Sequence, residues 1–258
     1  MKMSISIVTP TYNEALNIEK FINALEAVLL DKEYEIIFVD DNSIDNTHLI
    51  VKKIALKKKN IRCIRRIGRR GLSSAVIEGC LSSSSLLLLV IDSDLQHDEK
   101  KIPSMIKLLE EENLDMVIGS RFLNNNRTDG LSSFRNLLSN FANFLANKIS
   151  HAKLTDPMSG FFLIKRSVFD SVAPNLSGLG FKILLDIFSS SKRVIKFKEI
   201  SFTFKKRLYG ESKLDTLVIW EYLLLLWECK FGKIIPSRFL SFCLIGGSGV
   251  IVHIFMLF

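Results

Sequence analysis

The stretch LLLLVIDSDLQHDEK, Leu86 to Lys100, changes character at its middle. Six apolar residues, Leu86 to Ile91, run without interruption, and Asp92, Asp94, Gln96 and Asp98 then follow at alternate positions. An apolar run that does not alternate belongs to a strand covered on both faces, as in parallel sheets packed between helices. Carboxylates at the tip of such a strand contribute nothing to its packing, so they call for another explanation.

The same grammar repeats on either side. Upstream, SISIVT (Ser4 to Thr9), EIIFVD (Glu35 to Asp40) and IRCIR (Ile61 to Arg65) read as strands. Between them lie helical patterns over 14–29, with Leu16, Phe21, Leu25 and Val28 near one face, over 47–57 and over 72–81. Downstream, a helix over 101–111 precedes a fifth strand, DMVIGS (Asp115 to Ser120). Alternating strands and helices predict an α/β fold, a doubly wound and mostly parallel sheet. Ligands of such sheets bind beyond the carboxyl ends of the strands. The polar clusters fall there: PTYNE after the first strand, DDNS after the second, DSDLQ after the fourth and GSR after the fifth. The pattern predicts one site assembled from several loops.

Asp92 and Asp94, on alternate positions, can address one pocket and share one hard divalent cation. Oxygen ligands suit Mg2+ or Mn2+, and Mg2+ commonly completes its shell with water and substrate phosphates. His97 reads equally as a ligand, a supporting residue or a surface group. A glycosidase acid–base pair fits less well, because carboxyls this close in sequence rarely flank a glycosidic bond at the required separation. A phosphate loop of the G-x-x-x-x-G-K-[ST] kind is absent. GRRGLSS, Gly68 to Ser74, reads as the turn that starts a helix. The Asp40 to Ser43 cluster either caps the following helix or brings Asp41 to a base or ribose. Arg121, Arg135, Arg207 and Lys213 lie near polar turns. Brought together, they would neutralise a diphosphate or an anionic acceptor, for which guanidinium forks are suited.

The formal charge of +8 implies anionic partners. The basic residues are scattered, with neither zinc spacing nor RNA-binding aromatic motifs, so nucleic acid ranks below phosphate and lipid. Cys63, Cys80, Cys229 and Cys243 show no paired spacing and read as reduced core residues. MKMSISIVTP runs straight into a strand and reads as having no signal peptide, in keeping with a cytoplasmic catalytic part. After Arg121 come the loop NNNRTDG, a helix over 131–150, TDPMSGFF, further helices and a short β region over 194–204. Three parts are expected: a catalytic domain over 1–212, an amphipathic interfacial helix within 213–235, and a membrane helix over 236–258. Phe239 to Phe258 carries no formal charge and approaches the roughly 20 residues that span a bilayer. Lys230, Lys233 and Arg238 precede it, which places that side in the cytoplasm. Gly246, Gly247 and Gly249 suit packing against further membrane helices, expected beyond residue 258.

With these residues assembled, the chain resembles the family-two inverting glycosyltransferases, in particular the dolichol-phosphate mannosyltransferase and polyprenyl-phosphate glycosyltransferase group. The resemblance rests on VTPTYNE (Val8 to Glu14), VDDNSIDNT (Val39 to Thr47), DSDLQH (Asp92 to His97), GSRF (Gly119 to Phe122), DPMSGFF (Asp156 to Phe162), GFK (Gly180 to Lys182) and FKKRLYGESKL (Phe204 to Leu214). It implies a GT-A type nucleotide-sugar fold in which Pro10, Tyr12, Glu14, Val39 and Asp41 line the nucleotide pocket. Asp92, Ser93, Asp94 and Gln96 would hold the metal and sugar diphosphate. Arg121, Arg207 and Lys213 would meet the diphosphate and acceptor phosphate, and Arg135 and Ser139 the acceptor side. The implied substrates are a nucleotide sugar, GDP-mannose or a UDP-sugar, and a polyprenyl or dolichyl phosphate at the cytoplasmic membrane face. The alternatives are a UDP-glucose relative and a catalytically inactive nucleotide-sugar binding protein. Ser93 stands where the family often has Ala, and DPMSG where DPTSG is common; neither departure removes a ligand.

Overall fold

Leu87 and Leu89 belong to one hydrophobic core and Leu88 and Val90 to the other, so the strand of the opening stretch is buried on both faces. The computed structural model describes residues 4–123, 152–205, 224, 226–228 and 235–257. Its strands are β1 (Ile5–Thr11), β2 (Tyr34–Asp40), β3 (Ile61–Arg65), β4 (Leu87–Val90), β5 (Met116–Ser120), β6 (Phe162–Lys165) and β7 (Phe197–Ser201). They form one sheet in the order β3-β2-β1-β4-β6-β5-β7. β6 runs antiparallel to β4 and β5, and the other pairings are parallel.

Among the described residues the helices are α1 (Ile18–Val28), α2 (Thr47–Ala55), α3 (Leu72–Leu81), α4 (Ile102–Glu111), α5 (Arg166–Val172), α6 (Ile183–Ser190) and α7 (Ser237–Leu257). Residues of α1, α2 and α4 fill one core with Ile36 and Phe38; α3, α5 and α6 fill the other with Ile37 and Val39. The alternation within β2 is what a strand must show when successive side chains point to opposite faces. Helix α3 lies so close to the sheet that a Cβ on Gly79 would stand 2.4 Å from a Val8 methyl carbon and 2.8 Å from one of Val39.

Antiparallel β6 was not expected. Because it enters the sheet against the direction of its neighbours, its first residues lie at the edge where β1, β2, β4 and β5 end. Helix α1 starts at Ile18 rather than at residue 14. Ile18, Phe21, Ile22 and Leu25 make its buried face, while Leu16 is 70% exposed and lies in the turn before it. Cys63 is half-buried and Cys80 buried as expected, but Cys243 is exposed on α7; Cys229 lies outside the described residues. The expected helix over 131–150 and most of that over 213–229 also lie outside them. The segment expected to span a membrane is helical as α7, with Phe239, Phe242, Ile245, Val250 and Met256 exposed. Among the described residues, however, no helix is long and apolar enough to cross a membrane.

Candidate active site

The loops after β1 and β2 are sewn together. Asn13, at φ 58°, donates its N–H to Ser43 Oγ (2.9 Å), and its Oδ1 accepts the Ile44 N–H (3.0 Å). Asn tolerates this left-handed conformation better than most residues. Glu14 N–H donates to Thr47 Oγ1 (2.9 Å), and the Glu14 carboxylate accepts from Asn17 (2.7 Å). Pro10 pairs in register with buried Val39. The Arg70 guanidinium lies 4.3 Å over the Tyr12 ring and also donates to the Tyr12 hydroxyl. Pro10, Tyr12 and Glu14 thus lie together at one end of the β1–β2 pair, whereas the Val39 side chain, expected to line the same pocket, is fully buried in the core beneath α3.

The acidic cluster after β2 divides its work. Buried Asp40 accepts the Ser43 N–H (2.9 Å) and hydroxyl, so it closes its own turn rather than capping α2. Asp41 sits against Arg66, which is only 2% exposed. The guanidinium donates to Asp41 Oδ1 (2.7 Å), to the Gly71 carbonyl and to Ser74 Oγ, and Asp41 Oδ2 accepts the Gly71 N–H (2.8 Å). Burial raises the Asp41 carboxyl above its usual range, against the pull of Gly71 and Arg66. Both Asp41 oxygens therefore hold the β3–α3 loop in place beside the nucleotide residues. Reading the sequence missed Arg66, since an arginine in a basic stretch looks solvated until its partners are folded around it.

Beyond β4, Asp92 is half-buried and Asp94 is 7% exposed, with Asp94 Oδ1 accepting the Gln96 N–H (3.1 Å). Leu95 between them takes φ 61°, a left-handed conformation costing roughly 1–2 kcal/mol for such a residue. Two bonds pin this loop: Lys205 N–H to the Gln96 carbonyl (2.8 Å) and Gln96 Nε2 to the Lys205 carbonyl (3.1 Å). His97 is buried among Phe161, Phe202 and Phe204, with ring centroids 5.4 to 5.6 Å away. Burial pulls its pKa down to about 4. It is a neutral core residue, which resolves the open reading of its role.

The remaining side of the site is delivered by β5 and β6. Arg121, just past β5, grips fully buried Asp156 with a two-pronged fork, Nε to Oδ2 at 2.7 Å and Nη2 to Oδ1 at 2.8 Å. Burial works against the Arg121 charge, but Asp156 and then Asp92 outweigh it and hold its pKa above the ordinary value. Gly160 packs against Asp92: a Cβ there would stand 3.1 Å from Asp92 Oδ2. Lys182, half-buried at the start of α6, feels Arg121, Asp156 and Asp92. Burial first, then Arg121, lowers its pKa to about 8. Asp156, Gly160 and Lys182 stood in the stretches DPMSGFF and GFK, yet nothing local assigned them a place. Arg135, Ser139, Arg207 and Lys213 lie outside the described residues.

Among the described residues no group of three His, Cys, Asp or Glu side chains is placed to hold a metal by itself. The carboxylates of Asp92 and Asp94 are nonetheless the hard oxygen donors a divalent cation takes, and the bare Cα of Gly160 leaves one side of Asp92 uncovered. An ion held this way would draw the rest of its shell from water and substrate, as Mg2+ ordinarily does.

An open α/β sheet with acidic and cationic side chains gathered past its strand ends is the arrangement of enzymes that act on phosphate-bearing nucleotides. Residues 6–173 match the family described as Glycosyl transferase family 2, and the chain belongs to that family and is a glycosyltransferase. It is 36% identical to the dolichol-phosphate mannosyltransferase of Pyrococcus furiosus, across 97% of this chain and 70% of that one. It is 33% identical to that of Saccharomyces cerevisiae, across 94% of each. Among solved structures, glucosyl-3-phosphoglycerate synthase from Mycobacterium tuberculosis, in complex with Mn2+, UDP and phosphoglyceric acid, shares the fold at TM-score 0.64. That likeness covers 88% of this chain and 79% of the other at 20% identity.

Proposed function

We propose that the protein transfers a hexose, mannose from GDP-mannose, to dolichyl or another polyprenyl phosphate, with inversion at the anomeric carbon. The observation that carries this reading is that Asp92, at the tip of β4, acts electrostatically on both Arg121 and Lys182 at one edge of the sheet. The names of the relatives aligned over nearly the whole chain support a mannosyl group and a dolichyl phosphate acceptor.

The chemistry follows from charge. A phosphate monoester has a second pKa of about 6, so an acceptor phosphate is largely dianionic near neutral pH and needs little help from a base. Burying His97 as a neutral ring is compatible with that. The difficulty is to bring two anions together and to let a nucleoside diphosphate depart. Asp92 and Asp94, with Gln96 beside them, would hold Mg2+ or Mn2+, and the ion would supply charge neutralisation for the leaving diphosphate. Arg121 uses Nε and Nη2 on Asp156, which orients the guanidinium, and Nη1, outside that fork, would be the donor offered to substrate. Fixed charges of this kind cost no reorganisation as negative charge develops. Pro10, Tyr12 and Glu14 would line the nucleotide pocket, with Asp41 at its edge. Arg207 and Lys213 are assigned to the diphosphate, and Arg135 and Ser139 to the acceptor phosphate. The apolar helix α7 is assigned to the membrane, with the catalytic part over 1–212 on the cytoplasmic face and 213–235 lying along the interface.

The test is transfer of radiolabelled sugar into an organic-extractable product, with GDP-mannose and UDP-glucose offered in parallel. Label passing from GDP-mannose to the lipid supports the reading. Transfer from UDP-glucose alone replaces the donor, and no transfer from either with metal present overturns it. Asp94→Ala is expected to abolish transfer and leave the circular dichroism spectrum unchanged; near-normal activity of that variant would remove the acidic pair from the mechanism.

A further inference from the structure

Arg121 was expected to be the phosphate-binding cation of this edge, and its guanidinium is oriented by two N–H bonds to Asp156. Lys182 is placed differently. It follows the 177–180 loop, which is held firmly: the Ser177 and Gly178 N–H groups donate to buried Asp186 at 2.8 and 3.1 Å, and the Gly180 carbonyl accepts the Ser73 N–H at 3.2 Å. Helix α6, which starts at the next residue, is packed by Ile183, Leu184 and Ile187 into the core beneath β6. Lys182 is thereby held close enough to Arg121, Asp156 and Asp92 for their charges to act on its ammonium. Among the described residues its ammonium makes no hydrogen bond and no ion pair.

A half-buried ammonium without a direct partner loses hydration and recovers little of it. Nothing in the packing of α6 needs the charge, since a methionine would supply the same apolar stem. A group kept at a cost to stability is the mark of a site that serves a ligand. The ligand must be anionic, and small or flexible enough to enter beside Asp92.

We propose that Lys182 is a substrate-binding residue that holds a phosphate group, either of the donor diphosphate or of the acceptor monoester, beside Asp92. The inference rests on the transferase reading above and deepens it. It also divides labour between the two cations: Arg121 is the oriented and permanently paired one, while Lys182 is the one whose charge the substrate completes.

The experiment compares the full chain with Lys182→Met and Lys182→Arg, using GDP-mannose as donor and a short polyprenyl phosphate as acceptor. Lys182→Met is expected to raise the KM for one substrate tenfold or more while keeping its melting temperature equal to or above that of the natural protein. Lys182→Arg is expected to recover most of the affinity. A rise confined to the acceptor KM assigns the lipid phosphate, and a rise confined to the donor KM, matched by weaker GDP-mannose binding in calorimetry, assigns the diphosphate. Unchanged KM values for both substrates overturn the proposal, as does a lowered melting temperature that Lys182→Arg does not restore. Absence of transfer by the natural protein would instead count against the function itself, so the two failures are distinguishable.

Discussion

Arg121 and Asp156 form the pair on which the site's geometry turns, and their roles differ. Asp156 is fully buried and offers both oxygens to one guanidinium, whereas Arg121 keeps part of its surface open. Removing the acid leaves a largely enclosed cation unpaired, a change that typically costs about 3–5 kcal/mol. Asp156→Ala is therefore expected to destabilise the protein by about 3 kcal/mol in urea denaturation and to lose activity besides. His97 gives a second, independent expectation. Burial holds its pKa near 4, against an ordinary 6.5 in the unfolded chain. Between those values only the unfolded chain takes up the proton, so stability is complete above about pH 6.5 and falls as the pH drops toward 4. The shift corresponds to about 3 kcal/mol. Denaturation midpoints of His97→Phe should lack this part of the acid slope, and an identical slope in the variant would show that another group carries it.

At the scale of elements, β6 decides what the site contains. It is four residues long, and it pairs Leu88 with Ile164 and Ile118 with Phe162. Running against its neighbours, it brings the 152–161 loop back to the edge where the parallel strands end. Asp156 and Gly160 arrive there as a consequence. Gly160→Ala is the sharpest probe of this delivery. Its added carbon would press on Asp92 from 3.1 Å, a contact the carboxylate can relieve by shifting a few tenths of an ångström. Stability should fall by less than about 1 kcal/mol, as for a substitution that the surroundings can absorb, while kcat drops at least tenfold. Equal turnover by variant and natural protein would mean that the Asp92 position is not critical. Gly79 makes the same kind of contact with the sheet, but there the neighbours are Val8 and Val39 in the core, so its role belongs to packing.

At the scale of the molecule, a strongly basic chain carries a polar site at one edge of its sheet and an apolar helix, α7, after it. Exposed Phe239, Phe242, Ile245 and Val250 on that helix form the kind of surface that seeks a membrane or a partner. On the proposal that α7 enters the membrane and 213–235 lies along its surface, the full chain should float with liposomes and a chain lacking residues 237–258 should float markedly less. Flotation of both to the same extent would remove α7 as the anchor.

The sequence by itself determined the class of fold and the edge of the sheet on which the candidate site is read. Unbroken apolar runs alternating with helical patterns are buried between two helical layers, and polar loops at the strand ends then have one edge on which to meet. Asp92, Asp94, Arg121 and the Pro10 to Glu14 loop were legible on that ground. Only the tertiary structure decided that Asp156 clamps Arg121, that Arg66 is buried to hold Asp41, and that Lys182 comes within the field of Asp92. Each of those relationships joins residues 25 to 90 positions apart. A four-residue apolar strand looks like any buried segment, and its direction is set by the strands it lies between, not by any signal within it.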